Sequence, residues 1–300
     1  MTLKSLKVLL VSSLSLTWAL GQEITPAEES IPPDSAEIAP AAQDNPLARF
    51  DWQTSGSGEV GDHATIEIPE GYVFLNGAET AEVMALFGNL PAVYEGMIGP
   101  ESLDWFVVFE FEDAGYVKDD EKDELDSEDL LEMLQEGEEV SNEERRKRGM
   151  SPLNTVGWAV EPNYNEATNN LEWGVILENA EGEQNVNFLT KLLGRHGIMH
   201  TTLVCDTDQL EAILPEYQEL LTGFDYNSGQ TYADYEEGDK VAEYGLKALV
   251  AGGAVFAAAK LGLFGTIALW FKKAFKLIIA GVLAVGVFLK RLISGKKADA

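Results

Sequence analysis

A single cysteine, Cys205, in 300 residues rules out an intramolecular disulfide, so cysteine usage neither demands nor excludes an oxidising compartment. Cationic residues are scarce, with 21 Lys and Arg against 51 Asp and Glu, and there are three histidines. No G-x-S-x-G elbow, Walker pattern or phosphate-cradling glycine loop occurs, and Ser57 in GSG lacks the nucleophile frame. A lipoprotein anchor would need a cysteine at the signal cleavage position, and none is there.

What is present is organised from the two ends. Lys4 and Lys7 precede an apolar run over 8–20 that closes on Ala19-Leu20-Gly21. This is the pattern of a secretory signal over residues 1–21, too short for a spanning helix, and it predicts cleavage after Gly21 and export. Residues 22–46 hold five prolines and a surplus of acids. They cannot bury enough apolar surface to offset ordering entropy and read as a disordered tether.

At the other end, residues 246–271 and 277–289 are apolar apart from Lys247 and Lys260. The first is long enough for a hydrocarbon core of about 30 Å, but Lys260 in its middle costs about 2.5–3.5 kcal/mol. The second carries no charge but falls short in length. Residues 246–293 therefore read as a membrane-anchor region, followed by a basic tail over 294–300. The positive-inside bias favours one crossing with Lys272, Lys273, Lys276, Lys290, Arg291, Lys296 and Lys297 on the cytoplasmic side, a two-span hairpin being the alternative. The expected location is the bacterial inner membrane, with the lipid bilayer as a partner and the soluble domain facing the periplasm.

Within 22–246, ten basic residues stand against fifty acids, a formal charge of −40. Such a field repels nucleic acid and anionic head groups, and suits divalent cations, basic partners or a saline medium.

Residues 47–244 read as one α+β domain with a largely antiparallel sheet and flanking helices. Strand patterns occur at HATIEIP (63–69), GYVFL (71–75) and LDWFVVFEF (103–111), which is the most β-prone segment. Residues 154–160 and 171–177 read as hairpin strands joined by EPNYNEATNN, and 186–188 and 199–205 add further strands. Helical spacing appears over 78–90 and over 207–221, where Leu210, Ile213, Leu214, Tyr217 and Leu221 share a stripe.

The acidic stretch GYVKDDEKDELDSEDLL (115–131) has Asp126 as a natural N-cap for a helix that Gly137 would end. A second helix would start at Ser141, with Glu144 completing a capping box. Asp119, Glu121 and Asp123 occupy positions 1, 3 and 5 of a calcium loop, but Glu124 stands where glycine is required and Leu130 where glutamate is. They remain surface cation candidates only. Asn163, Tyr164 and Asn165, in an exposed turn after Pro162, are candidates for contact with a partner. His196 and His200 are four apart with Cys205 five further on, yet Gly197 and the β-like TTLVC argue against the helix that would put both rings on one metal. Cys205 reads as a buried small apolar residue, and no catalytic residue or cofactor is assigned.

GYVKDDEKDELDSEDLL, NEERRKRGM, WAVEPNYNEATNNLEWGVIL, VNFLTKLLGRHGIM and GQTYADYEEGDKVAEYGLKALVAGG, with the basic apolar tail, resemble the bacterial membrane-anchored family called domain of unknown function 2167. The resemblance implies an envelope protein with a signal and a C-terminal anchor, and implies no activity. The function expected is a non-enzymatic module that binds an envelope protein in envelope or stress maintenance. The alternative is a membrane-anchored hydrolase using Cys205 or a carboxylate pair.

Overall fold

The structure, a computed structural model, describes residues 45–252. The expected signal, almost all of the tether, and the anchor and basic tail from residue 253 onward lie outside the described residues. Among the described residues no helix is long and apolar enough to cross a membrane.

The chain forms β1 (Gly56–Val60), β2 (Ala64–Ile68), β3 (Tyr72–Asn76), α1 (Gly77–Leu86), β4 (Gly96–Pro100), β5 (Phe106–Glu112), α2 (Ser127–Lys147), β6 (Leu153–Asn165), β7 (Asn170–Asn179), β8 (Gln184–Leu193), β9 (Ile198–Asp206), α3 (Leu210–Leu221), β10 (Phe224–Tyr226) and α4 (Leu246–Val250). Seven strands make one antiparallel sheet in the order β3-β4-β5-β9-β8-β7-β6, and β1-β2-β10 make a second of three strands. The expected α+β class and antiparallel sheet are what the chain adopts.

Period-two alternation divides the large sheet into two unlike faces. On one, Val107, Phe109, Phe188 and Leu203 pack with Val60 and Ile66 of the small sheet and with Leu210, Ile213, Tyr217 and Leu220 of α3. On the other, Val83 and Met84 of α1 cover Met97, Phe106, Val108 and Val204. Further along that face, Leu130 of α2 and Leu246, Leu249 and Val250 of α4 pack with Leu171, Trp173, Leu193 and Ile198. The core thus takes in the first residues of the C-terminal apolar stretch.

One helix, α2, stands where two were expected. Asp126 caps it as anticipated, accepting from the backbone N–H groups of Glu128 and Asp129 at 3.1 Å each. Gly137 does not end it and Ser141 does not cap a second helix; Ser141 Oγ instead donates back to Glu138 O at 2.9 Å. Packing overrides propensity here, because Glu138, Asn142 and Arg145 form a buried stripe, the first two against β6 and Arg145 against Ser151 just before it. The i,i+4 ion pairs Glu143–Lys147 and Glu144–Arg148 form on its exposed side at 3.1 and 2.7 Å.

That polar stripe deals with the free edge of the sheet. β6 is an edge strand, and its outward backbone groups meet α2 side chains: Leu153 N–H donates to Asn142 Oδ1 and Asn142 Nδ2 donates to Leu153 O, both at 2.8 Å. Thr155 N–H and hydroxyl donate to the Glu138 carboxylate, and Gln135 donates to Thr155 O at 2.8 Å. Covering an edge in this way removes a template for pairing with another chain. Asn142→Ala leaves both Leu153 groups without their partner. We expect it to lower the unfolding free energy by about 1–3 kcal/mol, read by urea denaturation.

Candidate functional site

The most unusual feature of the fold is polar and buried. β5 sends Glu110 and Glu112 to the same face as Phe106 and Val108, and strand register sets Glu110 opposite His200 of β9 and His200 opposite Lys191 of β8. Glu110, His200 and Lys191 retain 3%, 5% and 1% of their exposure, so three ionisable side chains cross three adjacent strands inside the domain. The apolar clusters of α1 and of α2 with α4 lie on the same face of the sheet.

His200 Nε2 lies 3.0 Å from Glu112 Oε2, and the Tyr244 hydroxyl donates to Glu112 Oε1. Lys191 Nζ sits 5.2 Å from the centre of the Trp173 ring. Burial pushes the Lys191 amine down to about 8, against the pull of Glu110 and Glu112. Burial, aided by the Lys191 cation, drives His200 down to about 4, so the imidazole is neutral at pH 7 and its contact with Glu112 is a hydrogen bond rather than an ion pair. His200 Nδ1 is buried without a hydrogen-bond partner, which puts the single proton on Nε2, where Glu112 accepts it. Burial alone would raise the Glu112 carboxyl. Hydrogen bonds from His200 and Tyr244, with the charge of Lys191, outweigh it and hold the group below the ordinary range. The arrangement can hold and exchange protons.

Sequence reasoning missed Glu110, Glu112, Lys191 and Tyr244. The available signal was a charge inside an apolar strand, Glu110 in WFVVFEFE and Lys191 in NFLTKLL.

The residues singled out from sequence fall elsewhere. Cys205 is five residues from His200 on the same strand, an odd offset, and packs on the opposite face with Leu203. Its thiol is buried and pushed up to about 12 by burial and by Asp206 and Asp208, which removes the thiolate a hydrolase would need. His196 is exposed, beyond the start of β9.

Asp119, Glu121 and Asp123 take separate roles. Asp119 Oδ2 accepts from the Tyr164 hydroxyl at 3.3 Å, Glu121 Oε2 accepts from the Lys247 backbone at 3.0 Å, and Asp123 is exposed. Among the described residues no three His, Cys, Asp or Glu side chains form a group that could hold a metal ion. Asn163, Tyr164 and Asn165 are not a turn. β6 runs through them to pair with Glu172, Leu171 and Asn170, because an edge strand with register shifts between Val160 and Asn163 accommodates Pro162.

The structure does bring Asp119 and Tyr164 together, and adds three tyrosines. Tyr116 is stacked on both Tyr232, with ring centres 4.4 Å apart, and Tyr235, at 4.2 Å. The Tyr232 hydroxyl donates to Val117 O at 3.0 Å, and Lys122 pairs with Glu166 of the hairpin at 3.0 Å. Tyr235 is exposed, with Glu236 and Glu237 beside it in the chain. An aromatic and acidic surface is thereby assembled from the acidic stretch, the β6–β7 hairpin and the segment before Lys240.

A family described as "Protein of unknown function (DUF2167)" matches residues 53–286. The chain belongs to that family. No curated protein matches this DUF2167 chain. Among solved structures, the solution structure of cyanobacterial PsbP (CyanoP) from Synechocystis sp. PCC 6803 is similar over 58% of this chain and 94% of its own, at 9% identity and a TM-score of 0.35.

Proposed function

We propose that this DUF2167 chain is a membrane-anchored envelope protein whose exported domain is a non-enzymatic module that binds a basic protein partner, in envelope or stress maintenance. The observation that supports this reading best is the Tyr235–Tyr116–Tyr232 stack beside Asp119 and Tyr164. Aromatic rings with an exposed face and adjacent carboxylates attract ammonium and guanidinium groups through the ring quadrupole and direct charge pairing. The −40 charge of residues 22–246 steers partners of opposite sign to the same domain and away from nucleic acid. The sequence patterns of a signal at 1–21 and an anchor over 246–293 support placement on the periplasmic side of the inner membrane.

The test uses the full chain immobilised from mild detergent, with lysine-rich and glutamate-rich peptides of equal length as probes. We expect the lysine-rich peptide to bind preferentially and Tyr235→Ala to weaken it roughly tenfold, in keeping with one desolvated cation–aromatic contact. Equal binding of both peptides, or binding indifferent to Tyr235→Ala, would sink the reading. Protease accessibility of the basic tail in intact cells tests the orientation.

A further inference from the structure

The buried row is tied through Tyr244 to the start of the C-terminal apolar stretch. Residues 240–245 form a strap that crosses the chain just after β5. Tyr116 N–H donates to Lys240 O at 2.8 Å and Ala242 N–H donates to Tyr116 O at 2.9 Å, a parallel bridge outside the sheets. The crossing is close enough to require Gly115, whose φ is +91° and where a Cβ would lie 2.6 Å from Lys240 O. Lys240 Nζ donates to Asp113 O at 2.6 Å on the exposed side. Tyr244, near the end of the strap, reaches Glu112, and α4 follows at Leu246.

We propose that Glu112 is a proton-operated latch on this strap: as a carboxylate it joins Tyr244 to His200, and its protonation releases residues 240–250 from the sheet. As a carboxylate, each oxygen serves a donor from a different element, the His200 Nε2–H of β9 and the Tyr244 hydroxyl of the strap. A protonated Glu112 becomes a donor toward one of them. His200 cannot answer by turning its proton to Nδ1, because that nitrogen is buried with no acceptor in reach. The Tyr244 hydroxyl can turn to accept from a protonated Oε1 while Oε2 still accepts from His200, but both contacts are then neutral hydrogen bonds. The other charged group acting on Glu112 is Lys191 of β8, itself under the influence of Glu110, and its cation favours the latched, ionised form. Protonation therefore opens the link by weakening it: the charge that strengthens both hydrogen bonds and pairs with Lys191 is removed. The position of the proton and the docking of the chain that enters the apolar stretch are then linked.

Hydrogen exchange of the full chain in mild detergent tests the latch, with residues 240–250 compared against β8 and β9 after correction for intrinsic exchange. Between pH 7 and pH 3.5 we expect the strap to lose roughly tenfold or more of its protection, the loss of one charged hydrogen bond, and to open at a lower free energy than β8 and β9 at both pH values. Tyr244→Phe, which deletes the hydroxyl alone, is expected to produce the same loss at pH 7 and to abolish the pH dependence. Two results overturn the proposal. One is strap protection unaffected by acid or by Tyr244→Phe. The other is strap protection equal to that of the sheet at each pH, which is opening of the whole domain at once. Neither readout depends on a partner, so failure of the binding reading leaves the latch standing, and the reverse holds.

Discussion

Lys191→Met is expected to lower the unfolding free energy by about 3–5 kcal/mol at pH 7, read as a fall in the urea midpoint with the slope unchanged. Lys191 is buried to 1% exposure, and Glu110 and Glu112 both act on it. The substitution preserves volume and the apolar stem over Trp173, so the loss isolates charge from packing. With the cation gone, the two carboxylates share a low-dielectric site without its opposing charge. They must either stay ionised at a large electrostatic cost or take up a proton at a smaller one. The second arm is Lys191→Met with Glu110→Gln, which removes charge of both signs. It should regain most of the loss, because replacing a buried pair is far milder than breaking it. A single-variant loss under about 1 kcal/mol would show that water or relaxation screens the row, and that the burial of these three groups is less complete than their exposure implies.

Much of the framework could be read from the chain, and the reasons for the misses are physical. β5, β7 and β9 are long, apolar and β-branched or aromatic, so periodicity finds them. β1 and β4 were not anticipated because glycines dilute their patterns. Gly58 and Gly96 are needed there: the Phe74 ring lies so close that an added Cβ would come within 2.6 and 2.8 Å of it. Gly137 and Ser141 mimic a stop and a start, whereas the stability of α2 comes from buried contacts of Glu138 and Asn142 with β6 and of Arg145 with Ser151 just before it. The charged row escaped notice because its members are far apart in sequence and meet only through register, Glu110 beside His200 beside Lys191. The aromatic surface was half legible. Tyr164 and Asp119 were each singled out, but their contact depends on how the acidic stretch folds back onto the hairpin.

Between pH 6.5 and about pH 4 the domain should lose on the order of 3 kcal/mol of stability through His200 alone. The direction follows from where the proton binds. In the unfolded chain His200 takes up a proton near its ordinary value of 6.5, whereas in the folded domain burial and Lys191 delay uptake to about 4. Across that window the unfolded state holds more protons, so stability rises with pH; it is fully present above 6.5 and lost as the pH falls toward 4. Glu112 acts in the same sense at the lower end. Its folded carboxyl is held below the usual range, so its contribution is present above the unfolded value and disappears as pH falls through the folded one. Urea titrations at half-unit intervals measure the slope. His200→Gln, whose amide can still donate to Glu112, should flatten it between 6.5 and 4 while leaving the acid limb due to Glu112. A wild-type curve already flat over that window would mean that His200 is protonated in the folded domain, which would make its contact with Glu112 an ion pair. The single-proton argument for the latch would then fail with it, because a charged imidazole would have to hold an unmatched Nδ1–H in the interior.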